Sequence, residues 1–167
     1  VAFRAPTQSA EEIKIKYGCA LRQLAEPRAV VEVPGVDGRD ARQLSLQTLA
    51  EVIEPRVVEL YEFVLNELRR SGMEEMIASG IVVTGGSAMM RGMVELGEEV
   101  FHMPVRLGMP RYVGGLSEVV GNPRYATGVG LVLMGKQQVE RHLQGQMESG
   151  SFGRVLEKMK SWFQGNF

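Results

Sequence analysis

The sequence predicts a mixed α/β fold for this chain of 167 residues. An apolar run at Ile81–Val83 leads into Gly85 and Gly86, as a buried strand leads into a turn at the edge of a sheet. A helical pattern follows over 89–100, and a second short strand is predicted over 104–107. Strand, helix and strand in this order are typical of α/β proteins, where helices connect neighbouring strands.

The opening of the chain predicts a helix followed by a hairpin. Ser9 is expected to cap the helix, with Glu12 as its capping-box partner, and Gly18 is expected to end it. An alternating β-branched segment over 26–34 predicts a strand, and 43–46 predicts the strand that returns beside it. The letters VDG between them are a turn signal, because Asp-Gly supplies the positive φ of tight hairpins.

Two further helical patterns complete the coarse assignment. Apolar residues keep helical spacing over 48–70, although Pro55 removes a backbone donor and predicts a kink or a restart after Glu54. Gly72 is expected to end this helix. Small apolar residues over 125–132 predict the next helix, and a polar stretch from Lys136 predicts a linker of mixed helical and flexible character.

Composition and charge exclude several classes of protein. The net charge is −1, from 19 Lys+Arg against 20 Asp+Glu, so a generic nucleic-acid binder is not indicated. Cys19 is the single cysteine, which excludes an internal disulfide framework and fits a buried packing residue in a reducing compartment. His102 and His142 lie far apart in the sequence, so no metal site is predicted. No apolar run reaches the roughly 18 residues of a membrane span.

The chain opens on Val1 rather than on methionine, and it lacks the basic flank and apolar stretch of a secretory signal. We therefore expect a piece of a longer protein.

The segment 152–167, called the tail below, predicts an amphipathic helix. A helically spaced apolar stripe beside basic residues is typical of a helix that lies on an anionic membrane. A docked terminal helix or a partner-binding helix would show the same pattern. The residues predicted to touch the membrane are Phe152, Arg154, Val155, Leu156, Lys158, Met159, Lys160, Trp162, Phe163 and Phe167.

The glycine turn after the strand at Ile81–Val83 is the first candidate site. Gly85 and Gly86 carry no Cβ, so a flat ligand could approach the backbone closely, and the amides of the following helix start lie just beyond. This geometry suits a nucleotide. A tight turn that only packs closely against its neighbours explains the same two glycines equally well.

Several motifs together resemble a known family. IVVTGGSAMM over 81–90 looks like the adenosine motif shared by actin, the heat-shock chaperone ATPases and sugar kinases. AEEIKIKYG over 10–18 is similar to the helix that faces this motif in bacterial actins. LAEVIEPR over 49–56, VFHMPVRLG over 100–108 and YATGVGLVLMGK over 125–136 narrow the resemblance to the bacterial cell-division family FtsA. The resemblance covers essentially the whole chain.

The resemblance implies the second domain of an actin-like ATPase, in its C-terminal half. Subdomain 2A would comprise 1–19 and 77–135, and subdomain 2B would be inserted over 20–76. A linker over 136–151 and the amphipathic membrane-targeting helix over 152–167 would follow.

The resemblance also implies how ATP would be held, with Mg²⁺, in the longer protein. Glu11 would accept hydrogen bonds from the ribose hydroxyls, and Lys14 would cover the purine with its apolar stem. An exposed Glu–Lys pair at i,i+3 is the other interpretation of these two residues. The glycine-turn residues implied in nucleotide binding are Gly85, Gly86, Ser87 and Met89.

The two glycine-rich phosphate hairpins of the superfamily, with their acidic residues, have no counterpart in this sequence. We therefore expect no ATP hydrolysis by this chain, and weak nucleotide affinity, because the contacts of phosphate and Mg²⁺ are missing.

In the FtsA family, subdomain 2B receives the acidic and apolar tail of FtsZ, the tubulin-like division GTPase. Arg42, Arg56 and Glu59 match the docking region, and arginine can grip carboxylates with two hydrogen bonds. Arg56 and Glu59 lie one helical turn apart, which an ordinary surface pair would also explain.

The function implied is a membrane adaptor that tethers FtsZ filaments to the cytoplasmic face of the bacterial inner membrane at the midcell division site. Its partners would be FtsZ, anionic lipids and, in the longer protein, further copies of itself. Two other functions stay open: a sugar or metabolic kinase of the same superfamily, which would need an acceptor pocket, and a filament protein of the MreB kind.

Overall fold

The computed structural model describes residues 3, 5–35, 40–111, 117–147 and 159–162. The chain divides into two units, Val1–Ala126 and Thr127–Phe167. The first unit contains all the strands of the described residues, and helices connect them. The mixed α/β class predicted from the sequence is confirmed.

The first unit begins with helix α1 at Thr7–Tyr17. Pro6, and not Ser9, stands at its N-cap, and no side chain caps the helix. The predicted capping box is therefore wrong: the helix starts earlier, because Pro6 presets the backbone just before the first turn. Gly18 follows the helix as predicted, and its amide donates to the carbonyl of Lys14 over 2.9 Å.

A two-stranded antiparallel hairpin follows, as the sequence predicts. Strand β1 at Val30–Val33 pairs with β2 at Arg42–Ser45, in the register Val30 to Ser45 and Val33 to Arg42. Val31 and Val33 are buried and their neighbours are exposed, which matches the alternation expected of a half-buried strand. The predicted turn lies at 36–38, outside the described residues.

Helix α2 runs unbroken from Leu46 to Arg70, so the predicted restart after Glu54 is wrong. Ser45 caps the helix, and its Oγ accepts a hydrogen bond from the amide of Thr48 over 3.0 Å. Pro55 leaves the carbonyl of Glu51 without its helical donor, but both residues are exposed, so water can satisfy that carbonyl. Gly72 follows the helix with φ 70°.

Strand β3 at Ile81–Val83 pairs in parallel with β4 at Val105–Leu107. The expectation that β3 is fully buried is wrong, because Val82 is 49% exposed. Side chains alternate between the two faces of a strand, and here Ile81 and Val83 pack against the core.

A 3₁₀ turn at Ser87–Met89 and helix α3 at Met93–Phe101 connect the two strands. The helix starts later than the sequence predicts, because Gly92 precedes it with φ 83°. A Cβ on Gly92 would lie 2.8 Å from the amide nitrogen of Leu21, so only glycine fits this close approach.

One apolar core of the first unit joins helices α2 and α3, strands β3 and β4 and the segment that follows α1. Tyr61 of α2 lies at its centre, with its ring centroid 5.0 Å from that of Phe101, and its hydroxyl donates to the carbonyl of Met93 over 2.9 Å. Burial raises the pKa of Tyr61. The buried members of this core are Ala20, Leu21, Val57, Tyr61, Leu65, Met93, Leu96, Phe101 and Val105. Cys19, predicted to be a buried packing residue, is 4% exposed beside Ala25 and Ala50.

A short helix, α4, at Ser117–Val120 and a 3₁₀ turn at Pro123–Tyr125 close the first unit. Helix α5 extends from Ala126 to Met147 and makes up most of the described part of the second unit. Residues 159–162 form a further helical turn. Within the described ranges, none of the helices has the length and apolar character required to cross a membrane.

Candidate functional site

An open cleft in the first unit separates helix α1 from the glycine turn that follows β3. Its volume is about 280 Å³, near the lower end of small-ligand pockets, about 300 Å³. Charged residues and exposed apolar residues share its lining. The residues that line it are Glu11, Lys14, Ile15, Gly86, Ser87, Met89, Met90 and Arg124.

The glycine turn forms one wall of the cleft. Gly85 has φ 99°, a conformation that glycine adopts without strain, and it turns the chain away from the end of β3. Thr84 holds the base of the turn, because its hydroxyl donates to the carbonyl of Gly108 over 2.8 Å. A Cβ on Gly86 would meet only the Cβ of Arg124, at 3.9 Å, which is ordinary contact. The backbone of Gly86 is therefore accessible to a ligand.

Helix α1 forms the other wall. The Nζ of Lys14 lies 2.6 Å from Oε2 of Glu11, and the two side chains are 40% and 56% exposed. They form an exposed i,i+3 ion pair, which is one of the two interpretations that the sequence allows for Glu11 and Lys14. The pair lies on the cleft, so either group can exchange its partner for a ligand atom.

The two walls are connected through the backbone that follows α1. Cys19 forms a parallel β-bridge with Arg91, and the amide of Ala20 donates to the carbonyl of Arg91 over 2.7 Å. A Cβ on Gly18 would lie 2.7 Å from Sδ of Met90, so the end of α1 packs tightly against the residue that follows the 3₁₀ turn.

The structure brings together five of the six residues predicted to bind nucleotide: Glu11, Lys14, Gly86, Ser87 and Met89. Gly85 shapes the turn without lining the cleft.

Three lining residues were missed by the sequence analysis. Ile15 could have been found, because it lies four residues after Glu11 on the same helical face. Met90 is the last residue of the motif at 81–90, next to Met89. Arg124 has no sequence signal that connects it to the turn, since 37 positions separate it from Ser87.

The lining of the cleft has groups that could hold an adenosine group. A carboxylate can accept hydrogen bonds from two sugar hydroxyls, and Ile15 and Met89, which are 65% and 46% exposed, offer apolar surface to a flat ring. Binding of a divalent cation in this cleft has less support, because the described residues contain no group of three His, Cys, Asp or Glu side chains placed to hold a metal ion.

The residues predicted to bind the FtsZ tail lie on α2 and β2. The Nη1 of Arg56 lies 3.0 Å from Oε2 of Glu59, and these side chains are 80% and 52% exposed. Arg42 instead donates from Nη2 to the carbonyl of Phe3. Arg56 is therefore hydrogen-bonded to Glu59, whereas Arg42 is hydrogen-bonded to the backbone of Phe3.

Three of the predicted membrane residues are described: Met159, Lys160 and Trp162. All three are exposed, with Trp162 at 64% and Met159 at 56%. The other seven lie outside the described residues: Phe152, Arg154, Val155, Leu156, Lys158, Phe163 and Phe167.

Fold and cleft together define a mixed α/β domain with a small-ligand cleft beside a glycine turn. Residues 1–130 match the family described as "Cell division protein FtsA". The chain belongs to this family.

Named relatives cover the chain almost completely. The "Cell division protein FtsA" of Pseudomonas aeruginosa is 52% identical over 173 residues, which cover 100% of this chain and 42% of that protein. The proteins of the same name from Escherichia coli K12 and Neisseria meningitidis are 41% and 40% identical, and in each case 99% of this chain is covered. The chain spans about 41–42% of the length of these three relatives.

Proposed function

We propose that this chain is the C-terminal part of a membrane adaptor of bacterial cell division, which tethers FtsZ filaments to the cytoplasmic face of the inner membrane. The observation that carries the proposal is the 52% identity to a cell division protein FtsA across the full chain. The exposed Arg56–Glu59 pair and the exposed Trp162 supply surfaces for the two contacts that an adaptor needs.

The fold proposed for the whole protein is that of an actin-like ATPase. The hairpin and α2 would form the inserted subdomain 2B, and α1, β3, α3 and β4 would belong to subdomain 2A. Helix α5 and the tail would lead to the membrane.

The docking surface proposed for the FtsZ tail centres on Arg56. An acidic peptide can replace Glu59 as the partner of this guanidinium, since an exposed ion pair contributes only about 0–1 kcal/mol and exchanges easily. Leu60 and Phe63 of the same helix are 53% and 65% exposed, so apolar surface lies next to the charge.

Replacing Arg56 with glutamate is expected to abolish binding of a synthetic FtsZ tail peptide. The substitution turns an attraction into a repulsion, and charge reversal at a close charge pair typically costs several kcal/mol. Titration of the peptide against the adaptor, with detection by fluorescence anisotropy, measures the effect. The midpoint of thermal unfolding should stay within about 2 °C, because Arg56 is 80% exposed.

A matched control is available on the same helix. Arg70 is 77% exposed and its Nε donates to Oε2 of Glu67 over 2.9 Å, a bond that lowers the pKa of Glu67. Arg70→Glu makes the same charge change four turns further along α2 and should leave peptide binding intact. Equal affinities of Arg56→Glu and the wild type would count against the docking surface.

The cleft is proposed to bind the adenosine part of ATP in the whole protein, where other segments would hold the phosphates and Mg²⁺. When bound, the nucleotide would supply a polar and anionic group that links this domain to the rest of the protein. Glu11 would hold the ribose, and the backbone at Gly86 would lie against the nucleoside.

No release of phosphate from ATP is expected with the 167-residue chain alone. Catalysis of phosphoryl transfer depends on phosphate positioning and on metal ions, and this part of the sequence has no phosphate hairpin. A malachite-green assay measures phosphate release. Turnover that disappears in a Gly86→Val variant would contradict the expectation.

A further inference from the structure

Arg124 is held firmly at the edge of the cleft. It lies in the 3₁₀ turn Pro123–Tyr125, whose first residue is less than 2% exposed. Asn122 caps the turn: its Oδ1 accepts from the amide of Arg124 over 3.0 Å, and its carbonyl accepts from the amide of Tyr125 over 3.0 Å. A buried proline and a capped turn fix the direction in which the side chain of Arg124 leaves the backbone.

That direction places Arg124 next to the accessible glycine. Its Cβ lies 3.9 Å from where a Cβ on Gly86 would stand, and its side chain lines the same cleft as Glu11 and Lys14. Whatever flat group rests on the backbone of Gly86 therefore lies within reach of the guanidinium.

The charge of Arg124 is available to a ligand. Glu11 and Lys14 neutralise each other across 2.6 Å. No ion pair between described residues includes Arg124, whereas Glu11 and Lys14, the other charged residues of the described lining, pair with each other. The described lining therefore carries an excess of one positive charge.

We propose that Arg124 is a specificity-determining residue of the cleft and stacks its guanidinium on the base of the bound nucleotide. The inference rests on the proposed binding of adenosine to this cleft. Guanidinium groups are planar and weakly hydrated, so they stack on aromatic faces at a smaller desolvation cost than an ammonium group. Among the described residues, the lining offers no aromatic side chain for that purpose, and Arg124 supplies the planar surface instead.

Isothermal titration of the whole protein with ATP, adenosine and inorganic tripolyphosphate tests the proposal. Arg124→Ala is expected to weaken the binding of ATP and the binding of adenosine by a similar factor, about 3- to 10-fold for the loss of one cation–π contact. Binding of tripolyphosphate, which has no base, should not change. Arg124→Lys keeps the charge without the planar group and should also bind adenosine more weakly than the wild type.

Arg28→Ala serves as the matched control, because it removes an exposed arginine from the turn before β1, outside the cleft lining. Equal adenosine affinity of wild type and Arg124→Ala would overturn the role of Arg124 while leaving the proposed nucleotide binding standing. A loss confined to ATP and tripolyphosphate would show a phosphate contact and would overturn stacking. Full adenosine affinity in Arg124→Lys would also overturn it, because the planar group would then be unnecessary. A wild-type protein that binds neither ATP nor adenosine would refute both proposals together.

Discussion

Replacing Trp162 and Phe163 with glutamate is expected to abolish the flotation of the whole protein with anionic liposomes. Burial of one large apolar side chain contributes about 1.5–3 kcal/mol, so losing two of them weakens partitioning by roughly two orders of magnitude or more. The two new carboxylates are also repelled by anionic headgroups, at about 1 kcal/mol per charge. Trp162 is 64% exposed, so its replacement removes little buried surface.

A charge control separates the apolar contribution from the electrostatic one. Gln137→Glu with Gln138→Glu adds the same two charges on exposed positions of α5 and removes no apolar side chain. This control should float nearly as well as the wild type. The membrane assignment fails if the Trp162→Glu, Phe163→Glu protein floats equally well, and the tail would then be a docked terminal helix or a partner-binding helix.

The second large effect is expected at Phe101, the last residue of α3. Its side chain is 3% exposed and packs against Tyr61, with ring centroids 5.0 Å apart. Truncation of a buried phenylalanine to alanine costs about 3–5 kcal/mol, through lost burial and the cavity that remains. Native proteins are stable by only about 5–15 kcal/mol, so Phe101→Ala should remove a large part of the free energy of unfolding. Urea unfolding followed by circular dichroism measures the change.

Phe63→Ala is the matched control for this substitution. Phe63 belongs to α2 and is 65% exposed, so its truncation should change the free energy of unfolding by about 0.5 kcal/mol or less. Similar unfolding midpoints for the two variants would mean that the core described around Tyr61 does not stabilise the protein.

Periodicity and turn residues predicted most elements of the first unit, because those signals are local. The hairpin at Val30–Val33 and Arg42–Ser45 and the strand at Ile81–Val83 all appear where the pattern indicates. Pro55 shows where a local rule fails. A proline inside a helix costs about 3 kcal/mol, yet buried Ala50 and Val57 anchor α2 on both sides of it, and tertiary packing prevails over propensity.

Local sequence motifs also predicted part of the candidate site. Glu11 and Gly86 belong to contiguous motifs, so a sequence alone can associate them with a nucleotide, and the structure places both on one cleft. Arg124 reaches that cleft only through the tertiary fold, by way of a buried Pro123 and a capped turn. The exposure of Val82 could not be predicted either, because an apolar run does not reveal which faces of a sheet are covered.

The bridge between Cys19 and Arg91 has a consequence for how this cleft can change during evolution. The gap between its walls is set by main-chain atoms, and a change of side chain leaves these in place unless the new side chain collides with the backbone or is that of proline. Related proteins can therefore exchange Ile15, Met89 or Arg124 and alter ligand preference at little risk to the aperture itself. Gly18 and Gly92 are points of vulnerability, because a side chain at either position would collide with its neighbours where the walls join.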